Sequence, residues 1–174
     1  MIGIDIVDLT DPLLKKRSDN EFRLIKTQHE VIIDHPQLFW LYWTAKEAVF
    51  KASRDLVRFQ PKKIEIKLDP ENLRFTAKHN SLVFHGSFEV NDSYVLSFCH
   101  PPHLEVIYEV CHAQKINWPK YIRSIACDNL RKIGANLEIA SDDDGLPIIS
   151  EINLPISFSH HYHKGAYIHP LWHK

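Results

Sequence analysis

Five short runs of alternating apolar and polar residues follow one another between residues 62 and 111. They read KKIEIKL, NLRFTAK, SLVFHGSFEV, SYVLSFC and LEVIYEV, and the gaps between them are rich in Asp, Asn and Pro. A period of two residues is typical of a strand with one buried face, and short polar gaps connect antiparallel neighbours. The stretch therefore predicts an antiparallel meander, which limits the fold to those that contain such a sheet.

The rest of the chain adds a further strand at the start and three helices. The opening run, residues 2–9, also alternates and predicts a strand in which Asp5 points away from the isoleucines. Helical spacing predicts helices over about residues 21–33, 37–55 and 119–133, the first closed by Pro36 and the third by Gly134. Strands are also predicted for NLEIA, LPIIS and LPISFSH, around the turn SDDDG. Helices combined with antiparallel strands predict an α+β fold.

Composition and charge argue against several classes of partner. The 174 residues carry 21 Lys and Arg against 22 Asp and Glu, so no overall positive field attracts nucleic acid. No apolar run reaches the ~18 residues of a membrane span, and the N-terminal segment lacks the basic region of a signal peptide. The three cysteines are odd in number and lie in apolar patterns, which favours buried thiols. The sequence predicts a cytoplasmic protein that binds neither nucleic acid nor membrane.

The second predicted helix contains an unusual set of charges in the segment WTAKEAVFKA, residues 43–52. Glu47 and Lys51 are four residues apart and share a helix face with Trp43, whereas the alanines turn toward packing. An ion pair on an exposed helix is the ordinary explanation and is worth roughly 0.2–0.5 kcal/mol. The alternative is that these charges line a wet cleft.

Four segments, in this order, resemble motifs of the 4′-phosphopantetheinyl transferase superfamily. They are GIDIVDL (3–9), WTAKEAVFKA (43–52), DDDGLPIIS (142–150) and PISFSHHYHKGAYI (155–168). The segment FRLIKTQHEVII also looks like the family's stretch that ends in Thr-x-x-Glu. The resemblance implies a transferase-like α+β fold, an antiparallel sheet packed against helices.

The order of the segments also resembles the larger, surfactin-type transferases with their two halves exchanged. Residues 1–112 look like a core unit that carries the Asp strand and the Lys-Glu-Ala helix. Residues 113–174 look like a smaller second unit with the Gly-x-Pro and Ser-His segments. The resemblance thus implies two related halves in permuted order.

The resemblance implies a chemistry and assigns residues to it. Family enzymes, which include holo-acyl-carrier-protein synthase, use magnesium to move the 4′-phosphopantetheine arm of coenzyme A onto a serine of an acyl or peptidyl carrier protein, releasing 3′,5′-ADP. Asp5 and Glu47 match the metal-binding carboxylates, and Glu47 is also the candidate base for the acceptor serine. Lys51 would neutralise the pyrophosphate. His160 matches a histidine that contacts a coenzyme A phosphate, and Lys46 could approach the nucleotide phosphates.

Two positions depart from the family pattern. Val7 stands where the larger transferases have an acid, and Leu146 stands where many relatives have a phosphate-binding lysine. Arg123, His161 or Lys164 could replace that contact. The departures leave open a second hypothesis, a catalytically degenerate protein that binds coenzyme A or a carrier protein without transferring the arm.

Partners and assembly are the least constrained by the sequence. A basic run near the first helix offers an acidic carrier protein Lys15, Lys16, Arg17 and Arg23, although such a run is also typical of a solvated face. Compact relatives are trimers with shared sites and larger ones are monomers, so a homo-oligomer stays open. The five histidines between residues 160 and 173 suggest a competing transition-metal site, but their spacing follows no closed zinc pattern.

Overall fold

The structure, a computed structural model, describes residues 1–15, 17–55, 58–114, 116–133 and 137–171. In these ranges the helices are α1 (Asp19–Ile25), α2 (Leu38–Ser53) and α3 (Trp118–Ile133). The strands are β1 (Gly3–Asp8), β2 (Ile64–Asp69), β3 (Arg74–His79), β4 (Leu82–Val90), β5 (Tyr94–Cys99), β6 (Val106–His112), β7 (Ile139–Ser141), β8 (Pro147–Ile149), β9 (Leu154–Pro155), β10 (Ser157–His161) and β11 (Lys164–Pro170). The predicted α+β class is confirmed.

The largest sheet has the strand order β1-β5-β4-β3-β2, and its neighbouring strands are antiparallel. The predicted meander is therefore confirmed for β2 to β5. Helix α2 packs on one face of this sheet. Its apolar residues recur at helical spacing and those of the strands at every second position, so each element presents one apolar side to the other. The core between them includes Tyr42, Ala45, Val49, Phe75 and Phe88.

The fifth run of the predicted meander does not join this sheet. Strand β6 pairs instead with β11, with Val106 opposite Pro170. The reason is that β5 already has β4 on one side and β1 on the other, where Gly3 pairs with Cys99, so that no edge of β5 remains for β6. The prediction of a five-stranded meander over residues 62–111 was wrong in its last strand.

A second sheet has the order β10-β11-β6, and a small third sheet has the order β7-β8-β9. Strand β11 is buried along its whole length and was not predicted from the sequence. Its inward residues Ala166 and Ile168 pack against Ile4 and Ile6 of β1, between the two larger sheets. Helix α3 covers the other side through an apolar cluster that includes Ile122.

Helix α1 is much shorter than its predicted span of 21–33. It begins after a capping box in which Ser18 and Glu21 bond each other's backbone N–H groups, and it ends at Ile25. Beyond it, the buried carboxylate of Glu30 accepts a hydrogen bond from the Thr27 N–H at 2.7 Å, which takes the place of a helical bond. Helices α2 and α3 lie where they were predicted, although Gly134, the predicted end of α3, is outside the described residues.

Strands β1 and β10 meet edge to edge through side chains. The backbone N–H groups of Ile4 and Ile6 donate to Ser157 Oγ and Ser159 Oγ, both at 3.3 Å. The next alternate N–H, that of Asp8, donates to His161 Nδ1 at 3.2 Å. Side chains from every second residue of β10 thus accept hydrogen bonds from the backbone N–H groups of every second residue of β1. These bonds connect the two larger sheets.

The division into units 1–112 and 113–174 and their permuted order stay predictions. Strand β6 lies before the predicted boundary and pairs with β11, which lies after it. In the ranges that the structure describes, no helix combines the length and the apolar character needed to cross a membrane.

Candidate active site

Asp5 lies on β1, with its side chain on the face opposite to the isoleucines, as the alternation predicts. It is 6% exposed, and its Oδ1 accepts two hydrogen bonds, from Lys51 Nζ and from Ser159 Oγ, each at 2.7 Å. Two donors on one oxygen fix the orientation of the carboxylate. The strand therefore presents an oriented carboxylate beside α2.

Lys51 reaches Asp5 because α2 lies directly against β1. A Cβ atom added to Gly3 would lie 1.9 Å from the carbonyl oxygen of Ala48, so this approach requires glycine at the start of β1. The Lys51 ammonium also donates to the Ile4 carbonyl oxygen at 3.0 Å. Its side chain is 28% exposed, which leaves part of the cation open to a ligand.

Glu47 faces the same pocket as Asp5 and Lys51, together with His160. The pocket has a volume of about 360 Å³. Burial and the nearby negative charge of Asp5 raise the pKa of Glu47 to about 7, while the positive charge of Lys51 opposes that shift. Two neighbouring carboxylates in a half-buried pocket repel each other, and a cation bound beside them would remove that repulsion.

His160 lies at the rim of this pocket, on β10, and is exposed. Loss of hydration around the ring and, after it, the positive charge of Lys51 lower the pKa of His160 below its ordinary value. The ring is therefore mainly neutral near pH 7 and gains a proton more readily when an anion lies beside it.

A second cavity of about 270 Å³ adjoins the first, since Lys51 and Phe158 line both. Its wall is largely apolar and includes Leu146. Two cations besides Lys51 line the same cavity. Arg123 has its guanidinium 5.2 Å from the centre of the Phe158 ring, and Arg54 forms an ion pair with Asp142. Arg54 was not selected from the sequence, because nothing in its local pattern marks it.

Lys46, a predicted site residue, lies in the wall of neither pocket. Its side chain is fully buried, and its ammonium donates to Glu30 Oε1 at 2.6 Å and to the carbonyl oxygens of Pro61 and Ile64. Burial lowers the pKa of Lys46, and the Glu30 carboxylate opposes the shift. The prediction that Lys46 approaches nucleotide phosphates was wrong, because its donors are used inside the protein.

The three candidates for replacing the missing lysine contact have different positions. Arg123 lines the cavity beside Leu146. His161 lines the first pocket, and its Nδ1 already accepts the bond from β1. Lys164 is buried, with its ammonium 5.5 Å from the centre of the Tyr94 ring, and lies in the wall of neither cavity. The geometry favours Arg123 and excludes Lys164 from these two cavities.

The residues present fit a magnesium ion. Among the described residues no cluster of three or more His, Cys, Asp and Glu side chains is arranged to hold a metal. Magnesium does not require one, since it usually takes one or two protein carboxylates and completes its shell with water and substrate phosphates. Asp5 and Glu47 supply two carboxylates to one pocket, with Asp5 bonded only through Oδ1 in the described part of the chain.

Other predicted surface residues lie apart from these pockets. Arg17 pairs with Glu21 at 2.6 Å, and its guanidinium lies over the rings of Phe39 and Trp40. Lys15 and Arg23 are exposed, while Lys16 and His173 lie outside the described residues. Among the described residues, no group of histidines is arranged to hold a transition metal. His169 is buried in the second sheet.

A family model described as the 4′-phosphopantetheinyl transferase superfamily matches residues 1–99, which is more than half of the chain. The match spans β1 to β5 and so includes Asp5, Glu47 and Lys51 but neither Arg123 nor His160. No curated protein and no solved structure matches the chain.

Proposed function

Because the chain belongs to the 4′-phosphopantetheinyl transferase superfamily, we propose that it transfers the 4′-phosphopantetheine arm of coenzyme A to a serine of an acyl or peptidyl carrier protein. The transfer depends on magnesium and releases 3′,5′-ADP. The observation that carries the proposal is the convergence of Asp5, Glu47 and Lys51 on one half-buried pocket. A protein that only provided a scaffold would gain nothing from two repelling acids there.

The reaction exchanges one phosphorus–oxygen bond for another. The serine oxygen of the carrier attacks the phosphorus that bears the pantetheine arm, and the bond from that phosphorus to the oxygen of 3′,5′-ADP breaks. Glu47, which lies in the same pocket as Lys51, takes the serine proton as the general base. Lys51 stabilises the negative charge that develops on the departing phosphate.

Asp5 and Glu47 would hold the magnesium ion, with the remaining positions left to water and pyrophosphate oxygens. When bound, the ion supplies charge neutralisation at the pyrophosphate. The chain's own contribution is to fix the two carboxylates on rigid elements, one on β1 and one on α2. His160 at the rim contributes a ring nitrogen that can bond a phosphate oxygen.

The second cavity suits the nucleotide end of coenzyme A. An apolar wall can contact a base, and the cations Arg123, Arg54 and Lys51 at its edge can bind phosphate groups. Arg123 would make the phosphate contact that many relatives make with a lysine at the position of Leu146. The carrier protein would approach from the side of α1, where the exposed Arg17 lies over the partly buried rings of Phe39 and Trp40 and can pair with an acid. A cytoplasmic location belongs to the same proposal.

Intact-mass measurement tests the transfer directly. The protein is incubated with coenzyme A, magnesium and a panel of apo carrier proteins from fatty-acid, polyketide and peptide synthesis, and each carrier is weighed. We expect one or more carriers to gain the mass of the arm. Unmodified carriers throughout, together with measurable binding of coenzyme A, would support the hypothesis of a protein that binds without transferring.

Two variants and a control examine the roles of the acids. Glu47→Gln and Asp5→Asn keep the shape of the side chain but remove its charge, so we expect transfer to be lost while the fold is largely kept. Glu71→Gln makes the same change at an exposed loop position and should behave like the wild type. Normal transfer by either site variant would refute the metal assignment.

A further inference from the structure

Ser159 has two hydrogen bonds that connect the two larger sheets to the pocket. Its Oγ accepts from the backbone N–H of Ile6 at 3.3 Å and donates to Asp5 Oδ1 at 2.7 Å. The residue is 6% exposed, so both bonds are shielded from water. The hydroxyl can make both at once because it carries one donor and two acceptor positions.

We infer that Ser159 is a positioning residue that orients the Asp5 carboxylate for a divalent cation, an inference that rests on the proposed function. Lys51 and Ser159 both bond Oδ1 of Asp5, and across the described ranges no protein donor is found on Oδ2. The two bonds fix the rotation of the carboxylate and leave Oδ2 as the oxygen for a ligand. Partners of this kind around metal ligands typically affect metal affinity about 10- to 100-fold.

Ser157 provides a natural comparison on the same strand. Its Oγ accepts from the Ile4 N–H at 3.3 Å, the same type of bond to β1, but it makes no hydrogen bond to Asp5. Replacing Ser157 by alanine therefore removes a link between β1 and β10 without touching the carboxylate. Any effect specific to Ser159 must come from its second bond.

The test measures divalent affinity without catalysis. Mn²⁺ is titrated by calorimetry into the full-length wild type and into Ser159→Thr, Ser159→Val, Ser159→Ala and Ser157→Ala. Thr and Val have almost the same shape and both suit a strand, but only Thr keeps the hydroxyl. We expect Thr to bind within about threefold of the wild type and Val and Ala about 10-fold or more weakly than Thr. Ser157→Ala should bind as the wild type does.

Transfer kinetics provide a second readout. In the Val variant, the magnesium concentration for half-maximal transfer should rise about 10-fold or more, with little change in KM for coenzyme A. A merely structural role of Ser159, through its bond to the Ile6 N–H, would lower stability when the hydroxyl is lost but would not change the magnesium requirement separately from KM for coenzyme A.

Three outcomes are distinguishable. Weaker Mn²⁺ binding in Val than in Thr supports the positioning role. Equal binding in Thr and Val overturns it, and continued transfer by these variants then leaves the proposed function in place. If the wild type neither binds Mn²⁺ nor transfers the arm, the proposed function fails and the role of Ser159 fails with it.

Discussion

The Lys51 ammonium lies 2.7 Å from Asp5 Oδ1, so a cation at the end of α2 is fixed by a carboxylate of β1. A second bond, to the Ile4 carbonyl oxygen, holds the same ammonium at 3.0 Å. The side chain of Lys51 is therefore ordered before any ligand arrives. An ordered cation stabilises developing charge more effectively than a free one, because no reorganisation is needed during the reaction.

We expect Lys51→Met to lower kcat/KM for transfer by roughly 100-fold, the usual effect of removing one preorganised donor. The control is Lys67→Met, which removes an exposed lysine of β2. Steady-state transfer to a carrier that the wild type modifies gives the comparison. A Lys51 variant within threefold of the wild type would contradict the role of this cation.

Substitution of Lys46 should change stability rather than the transfer step, because Lys46 is fully buried in an ion pair with Glu30. Lys46→Met leaves the Glu30 carboxylate buried without its cation, so we expect the free energy of unfolding to fall by about 3–5 kcal/mol. Urea denaturation measures the change, with Lys67→Met, at an exposed position of β2, as the control. A Lys46 variant that unfolds like the wild type but has lost transfer would show that the buried pair is not structural.

Lys46 and Lys51 show what the sequence could and could not predict in the site. Helical spacing placed Glu47 and Lys51 on one face, and alternation turned Asp5 away from the isoleucines, both from local periods alone. The burial of Lys46 depends on its ion pair with Glu30, which lies in an irregular segment after α1. The bond from Ser159 to Asp5 depends on how two sheet edges meet, 154 residues apart in sequence, and no local pattern encodes it.

The same distinction applies to the fold. Strands β2 to β5 follow each other through short turns, so their pairing could be read from adjacent runs. The position of β6 was missed because β1, from the far end of the chain, occupies the free edge of β5. Strand β11 was missed because its sequence KGAYIHP contains Gly, His and Pro, which obscure the alternation of Ala166 and Ile168. The signal available was the short turn that separates it from β10.

The ionisation of Glu47 should make the metal-free protein less stable at higher pH. Its pKa is raised from 4.5 to about 7 in the folded state, so folding favours the protonated form. Stability from this group is present below the unfolded pKa and is lost as the pH rises through about 7. Relative to Glu47→Gln, which does not titrate, the wild type should lose at most roughly 3 kcal/mol across this window.

Urea denaturation with a chelator, at about pH 5 and about pH 8, measures that difference. Addition of magnesium at the higher pH should stabilise the wild type more than the Gln variant, since only the former keeps both carboxylates. A difference that does not change with pH would show that Glu47 ionises without cost.

Arg123 and Leu146 should control affinity for coenzyme A rather than turnover. Arg123→Met removes a cation from the edge of the second cavity, so we expect KM for coenzyme A to rise roughly tenfold, the loss expected for one charge-assisted hydrogen bond. Leu146→Lys adds a cation to the same cavity and should lower KM. Arg131→Met, an exposed position on the same helix, is the control. If KM is unchanged in both cavity variants, the nucleotide lies elsewhere.

Each chain should contain a complete site of its own. Glu47 and His160 line one pocket within a single chain, although they come from α2 and β10. A mixture of Glu47→Gln and His160→Ala should therefore show only the average of the two separate activities, because neither chain can supply the residue that the other lacks. Light scattering on the same samples determines the oligomeric state. Activity in the mixture above that of both variants would mean that neighbouring copies share residues, and the assignment of His160 to the pocket of its own chain would then be wrong.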